Sequence, residues 1–459
     1  KIVFLLKIEK KALRVFICFY LYAVTVFLRP ACRQRFRHSY LRRIVIANAD
    51  FKIHKSSSPG SECYIQILSH LRAKIKCGAA HIKIGRIFCK SIDKSVLPMY
   101  NSRNKGKDVF PQSGASLSFF IRRKTFMKKA EGFTYVKTSK RYVCDYKGGA
   151  WGKGRLTRNA NVTLNESACV LQYAQTCFEG LKAYRTEDGH IVCFRPDLNE
   201  KRLADSCRRM VIPPLPEGMF TEAVKEVVLA NRKWIPDADG GSLYLRPFIF
   251  GTEAVIGVKP ATEFQFRLFA TPVGSYFHGG VSPLRLRVCD FDRAAPHGTG
   301  HIKAGLNYAM SLYAITDAHE KGYDENLYLD AATRTYIEET GGANVIFITD
   351  DGTLVTPESD TILPSVTRRS LIYVAEHYLG MKTEERKIPL SEIGNFRECG
   401  LCGTAAVISP VGTIDDHGKE IRYDTGDFES TVIAKLYHTL TDIQHGKIEA
   451  PEGWIMKIK

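Results

Sequence analysis

From about Gly132 to its end the chain alternates short strands with amphipathic helices, and that alternation restricts it to an α/β architecture. YVCDYKGGAWGKGRL (142–156) reads as two strands around a Gly-Gly turn. SACVLQYAQTCFEGLKAYRT (167–186) reads as a helix running into a strand with a break at Gly180, and GHIVCF (189–194) as a strand. Pro196 suits the first turn of the next helix, which must stop before Pro213-Pro214. FTEAVKEVVLANRKWI (220–235) has helical periodicity, while 242–251, 263–273 and 284–290 read as strands. GSYFHGGVSP (274–283) has no periodicity and is rich in Gly, Ser and Pro. It reads as a linker between one domain over 127–273 and a second over 284–459. In the second, helices are expected over 304–321, 365–380 and 427–446, strands over 324–330 and 398–414, and a hairpin over 343–357.

Charge sets the first quarter apart. The 459 residues carry a formal +18, but residues 1–126 hold 26 of the 66 Lys and Arg and only 5 of the 48 Asp and Glu. That segment is therefore +21, and the remainder, with 40 basic and 43 acidic residues, is −3. Electrostatic attraction to nucleic acid or an anionic surface thus belongs to the first quarter alone. Its apolar run Val15–Leu28 is 14 residues long. A membrane span needs about 20, so the run fits a signal or anchor segment better. Three readings compete: a targeting segment, a basic binding arm, and upstream sequence outside the working protein, whose natural start is then Met127. The third is preferred and targeting comes next. The arm ranks last, because the charges form no helical stripe and no nucleic-acid motif.

The 13 cysteines include one C-x-x-C pair, Cys399 and Cys402. It reads as two thiols in a reducing compartment. A zinc site would need two further ligands nearby, and a redox pair is the lesser alternative. No metal is expected. The sequons at Asn161 and Asn165 matter only in a secreted chain. The expected location is the cytoplasm, or the mitochondrion if the basic N-terminus directs import.

GTGHIKAGLNY (298–308) sets Lys303 among Gly298, Gly300 and Gly305. It matches neither phosphate-loop pattern, G-x-x-x-x-G-K-[ST] or G-x-G-x-x-G. Alone, such a lysine reads as a solvated surface residue. Its company argues otherwise: CFEGLKAYR (177–185), FRPDLNEKRL (194–203), SLYLRPFIFG (242–251), RAAPHGTGHIKAGLNY (293–308), YIEETGGANVIF (336–347), LPSVTRRSL (363–371), CGTAAVISPVG (402–412) and EAPEGW (449–454). In this order the blocks resemble the branched-chain amino acid aminotransferases, class IV enzymes of fold type IV that depend on pyridoxal 5'-phosphate. The resemblance covers about 320 residues, Gly132 to Trp454.

The resemblance implies a two-domain α/β fold like that of D-amino-acid aminotransferase, with the cofactor in the cleft between the domains. Lys303 matches the lysine that holds pyridoxal phosphate as a Schiff base and moves the proton; an amine that condenses with an aldehyde is what that chemistry requires. Glu339 matches the carboxylate facing the ring nitrogen, and its neighbour Glu338 is expected to point away, to solvent. Tyr308 matches the partner of the phenolic oxygen. Arg202, Val366, Thr367, Gly403 and Thr404 match the phosphate site, where fixed charge and helix-terminal amides suit an anion. Read alone, Arg202 is a surface ion-pair residue and Tyr308 a core tyrosine. Tyr173, Phe178, Tyr244, Arg246, Arg293, Ala405 and Ala406 match the substrate pocket, with Arg246 serving the second carboxylate of glutamate. Core packing is an equally good reading of Phe178.

The implied reaction is reversible transamination of L-leucine, L-isoleucine and L-valine with 2-oxoglutarate, in a homodimer whose neighbouring subunit completes the substrate pocket. No nucleic-acid partner is implied for the body and no membrane. Within the fold, D-amino-acid aminotransferase and aminodeoxychorismate lyase are the alternatives; outside it, a nucleic-acid or membrane binder driven by residues 1–126. Two departures stand out. Some eukaryotic members carry a redox C-x-x-C just after the Gly-Thr-Ala turn, where this chain has Ala406 and Ser409, and nothing ahead of residue 127 matches the family.

Overall fold

The computed structural model describes residues 133–237, 241–274 and 282–459. The basic first quarter, its apolar run, Met127 and residues 275–281 of the expected linker lie outside the described residues.

Among the described residues are two nine-stranded sheets. The first takes β1 (Arg141–Lys147), β2 (Ala150–Trp151), β3 (Arg155–Thr157), β4 (Thr176–Phe178), β5 (Leu181–Arg185), β6 (Ile191–Phe194), β7 (Ser242–Gly251) and β8 (Phe264–Val273). The second takes β9 (Leu284–Val288), β10 (Glu325–Leu329), β11 (Ile337–Thr340), β12 (Asn344–Ile348), β13 (Leu354–Pro357), β14 (Thr383–Arg386), β15 (Glu398–Gly403), β16 (Val407–Asp416) and β17 (Lys419–Arg422). The last strand, β18 (Ile455–Lys457), pairs with β6 and so returns to the first sheet, although it ends the 284–459 stretch. The first sheet runs β18-β6-β5-β7-β8-β1-β2, with β3 on β1 and β4 on β7. The second runs β11-β10-β9-β16-β15-β12-β13-β14, with β17 on β16.

Six α-helices accompany them: α1 (Cys169–Tyr173), α2 (Pro196–Arg209), α3 (Met219–Ala230), α4 (Gly305–Glu320), α5 (Val366–His377) and α6 (Val432–His445). The spacing of Phe220, Val224, Val227 and Val228 gives α3 one apolar face, buried in the first sheet's core. Burying each such side chain contributes about 1.5–3 kcal/mol. The helix expected over 220–235 stops at Ala230 and continues only as a 3-10 turn, Arg232–Trp234. The buried Asn231 side chain causes this: its amide donates to the carbonyls of Val227 and Lys140 while its oxygen accepts from the Lys140 amide.

A second core joins the sheets. Tyr184, Val192 and Phe194 of the first pack with Ile346, Ile348, Val366, Leu371, Ile433 and Leu436 around Trp454. Beside this shared core, the ends of β4, β7, β11 and β15 surround a cleft together with the first turns of α4 and α5. No helix of the described residues is long and apolar enough to cross a membrane.

Candidate active site

The cleft is about 470 Å³, within the range that holds a small organic ligand. Lys303 reaches it from the residue before the N-cap of α4. Three contacts fix the lysine's backbone: its amide donates to Ser206 Oγ at 3.1 Å, its carbonyl accepts from the Phe178 amide at 3.0 Å, and Cys177 bridges to Ala304. The turn before it is tied down by Asn307, whose side-chain amide donates to the carbonyls of Thr299 and Ile302 at 2.8 and 2.9 Å. Gly300 is needed in that turn, because a Cβ there would lie 1.9 Å from the Thr361 carbonyl oxygen. Lys303 Nζ donates to Tyr308 Oη at 2.8 Å and lies 5.1 Å from the Phe178 ring centre.

Glu339 lies on β11, buried, and its carboxylate has three partners. Arg293 Nη2 approaches Oε1 at 2.7 Å, the Leu363 amide donates to Oε1 at 2.9 Å, and Asn344 Nδ2 donates to Oε2 at 2.7 Å. Burial pushes the carboxyl up to about 7, while Arg293, the Leu363 amide and Lys303 pull the other way. Oε2, with one protein partner, keeps acceptor capacity for a donor in the cleft.

Arg202 lies on α2, and its company is different from a surface helix residue's. It is 8 % exposed and clamps the fully buried Glu179, with Nε to Oε1 at 2.7 Å and Nη2 to Oε2 at 2.9 Å. Its Nη1 donates to the Pro364 carbonyl at 3.0 Å. Burial opposes the charge, but the Glu179 carboxylate outweighs it and holds the guanidinium above its ordinary pKa. Three of the five N–H groups are thereby used, leaving two for an anion. Beside it α5 begins: Ser365 Oγ accepts from the Arg368 amide, and Val366 opens the helix at the cleft wall. First-turn amides of such a helix have no intrahelical partner and favour an anion.

On the first sheet Arg246 stacks over Phe178 at 4.7 Å and donates to Tyr244 Oη at 3.0 Å. Gly180 makes room for that tyrosine: a Cβ there would lie 2.2 Å from Tyr244 Oη. Opposite, the β15–β16 turn brings Gly403, Thr404 and Ala405 to the cleft. The turn is tied across to the first sheet by the buried Lys182, whose Nζ donates to the Ala405 carbonyl at 2.7 Å. Burial lowers that amine to about 8.

Lys303, Tyr308, Glu339, Arg202, Val366, Gly403, Thr404, Phe178, Tyr244, Arg246, Arg293 and Ala405 thus share one cleft. Thr367 and Ala406 do not line it, although each follows a lining residue in sequence. Tyr173 is not brought there: it is half-exposed at the end of α1, with its hydroxyl on the Ile256 carbonyl. Glu338 does not face solvent as alternation along a one-sided strand implied. It is buried against Ser359 and Thr361, because the 358–365 loop covers that face of β11. Glu179, Asn307, Asn344 and Lys182 escaped the sequence reading, although the FEGLK block contains two of them. Cys399 and Cys402, three apart on β15, enter different cores, so the strand holds them apart. Among the described residues no cluster could hold a metal ion.

The donor set fits pyridoxal phosphate: an amine, a phenol beside it, a buried carboxylate with spare acceptor capacity, and an anion site of arginine and helix terminus. The model of the class IV aminotransferases matches residues 176–414. A branched-chain-amino-acid aminotransferase of Helicobacter pylori is 47% identical over 330 residues, 71% of this chain and 96% of that protein. In structure, the branched-chain aminotransferase of Thermoproteus uzoniensis with norvaline aligns with a TM-score of 0.59 at 25% identity, over 70% of this chain and 100% of that one. The branched-chain amino acid aminotransferase of Escherichia coli aligns at 0.58 and 26%, over 70% and 100%. With half the chain matched by the family's model and more than two thirds by such relatives, the chain belongs to the class IV aminotransferases, in the branched-chain-amino-acid aminotransferase family.

Proposed function

We propose that the protein transfers amino groups reversibly between L-leucine, L-isoleucine or L-valine and 2-oxoglutarate, using pyridoxal phosphate held in this cleft. The observation that carries the reading is Lys303: an amine beside a phenol, in one cleft with a buried carboxylate. Bound there, pyridoxal phosphate supplies an aldehyde that condenses with amines and a ring that accepts the electron pair left at the substrate α-carbon.

Lys303 Nζ would hold the group through its aldehyde, and as a free amine would move the proton at the substrate α-carbon. The short reach to Tyr308 keeps that amine from wandering between steps. Glu339 holds a proton on the ring nitrogen, and Arg293, Asn344 and the Leu363 amide keep the carboxylate aimed. Arg202, the α5 terminus with Val366 and Thr367, and the Gly403-Thr404 turn hold the phosphate. Phe178 and Tyr244 wall the apolar side chain, Ala405 closes the pocket from the turn, and Arg246 donates to the second carboxylate of glutamate. One pocket then serves both substrates in turn.

The same reading includes a homodimer. Ile256 and Val258, 82% and 88% exposed on the loop next to Tyr173, are apolar residues that a neighbouring subunit would cover. A cytoplasmic setting accords with eight unpaired, buried cysteines among the described residues. The test is an amino-transfer assay with L-leucine and 2-oxoglutarate, with D-alanine in parallel. Glutamate formed from leucine supports the reading; turnover of D-alanine alone overturns it.

A further inference from the structure

Glu338 is a buried carboxylate next in sequence to the one assigned to the ring nitrogen. It is 3% exposed. Its Oε1 accepts from Ser359 Oγ at 2.9 Å and from Thr361 Oγ1, and those two hydroxyls also meet each other at 2.7 Å. A carboxylate this deep is costly unless hydrogen bonds compensate it. Here both of these partners come from one loop, residues 358–365.

That loop reaches both ends of the cleft. The Thr361 carbonyl accepts from Arg293, the guanidinium that pairs with Glu339. The Leu363 amide donates to Glu339, and the Leu363 carbonyl accepts from Asn344, which holds the other Glu339 oxygen. The Pro364 carbonyl accepts from Arg202, and Ser365 caps α5. Four residues of the stretch 361–365 therefore set the ring carboxylate and the anion site together. Strand alternation on β11 sends Glu339 into the cleft and Glu338 to the opposite face, where it grips the start of the same loop.

We propose that Glu338 is a positioning residue: through Ser359 and Thr361 it locks the 358–365 loop in the register that aims Glu339 and Arg202 at pyridoxal phosphate. This rests on the function proposed above. Hydrogen bonds to a buried charged group carry about ten- to a hundredfold in an equilibrium constant, which sets the size of the effect.

The experiment compares wild type, Glu338→Gln, Glu338→Ala and Thr361→Val as full-length proteins. Each is stripped of cofactor, titrated with pyridoxal phosphate by absorbance, and followed by hydrogen–deuterium exchange without it. The glutamine keeps an acceptor at the same place, so it should bind within about threefold of wild type. Glu338→Ala and Thr361→Val should bind about tenfold or more weakly, with faster exchange confined to peptides covering 359–366. Thr361→Val is nearly isosteric and tests the contact if the alanine variant fails to fold. Faster exchange throughout the protein, or equal affinity in all four, overturns the inference and leaves the proposed function standing. Wild type that takes up no pyridoxal phosphate overturns both.

Discussion

Arg293 meets Glu339 at 2.7 Å with both side chains buried, so this guanidinium is the chief charge that opposes the upward push of burial on the Glu339 carboxyl. Burial alone drives the carboxyl upward, and its midpoint rests near 7 because Arg293 and the Leu363 amide resist. Below that midpoint the group carries a proton and cannot pair with a protonated ring nitrogen; above it the group is anionic. Association of pyridoxal phosphate with the stripped protein should therefore strengthen as pH rises through about 7. In Arg293→Met the main opposing charge is gone and the rise should move to higher pH. Absorbance titrations from about pH 5 to 9 check this; an unmoved midpoint contradicts it.

The Glu179–Arg202 clamp predicts an asymmetric cost. Removing one partner of a buried pair strands the other charge, at about 3–5 kcal/mol. Glu179→Ala should lose about that much in urea unfolding, and should also weaken pyridoxal phosphate binding, because Arg202 loses the partner that aims it. Stability within about 1 kcal/mol of wild type would contradict the burial argument.

These two carboxylates show what was legible in the sequence. Lys303, Tyr308, Glu339 and Arg202, which line one cleft, stand in recognisable blocks and are of the residue types the implied chemistry demands. Most elements were legible from periodicity and from the glycines at helix ends; Gly322, Gly380 and Gly446 all adopt positive φ. Glu179 was not, because its partner is 23 residues away on a helix and only folding brings the two together. The burial of Glu338 was not legible, because alternation gives the face a side chain takes but not what covers that face. β14 was missed because TEER has no apolar alternation; its extended form follows from parallel pairing with β13.

Lys182 predicts a pH dependence of stability. Burial lowers its amine from the ordinary 10.5 to about 8. Between these values the unfolded chain holds a proton that the folded chain does not, so stability rises with pH across that window and is lost as pH falls toward about 8. The swing is about 3 kcal/mol. Lys182→Met should flatten it; denaturant unfolding at several pH values between these limits measures the slope, and an unchanged slope contradicts the assignment.

Arg246 should separate the two substrates. It is the cation placed between Phe178 and Tyr244. Arg246→Ala should lower kcat/KM for 2-oxoglutarate about a hundredfold and that for leucine by less than about fivefold. Equal losses for both would assign the arginine to packing rather than to the second carboxylate.

The proposed function rests above all on Lys303 as the residue that would hold pyridoxal phosphate. The most direct measurement is the visible spectrum of the purified protein, with and without L-leucine, for wild type and Lys303→Ala. A protein-bound visible band is expected in wild type, shifting when leucine is added and absent from the alanine variant. A wild-type protein without that band after incubation with pyridoxal phosphate, or a Lys303→Ala protein with the same band and the same response to leucine, would contradict it.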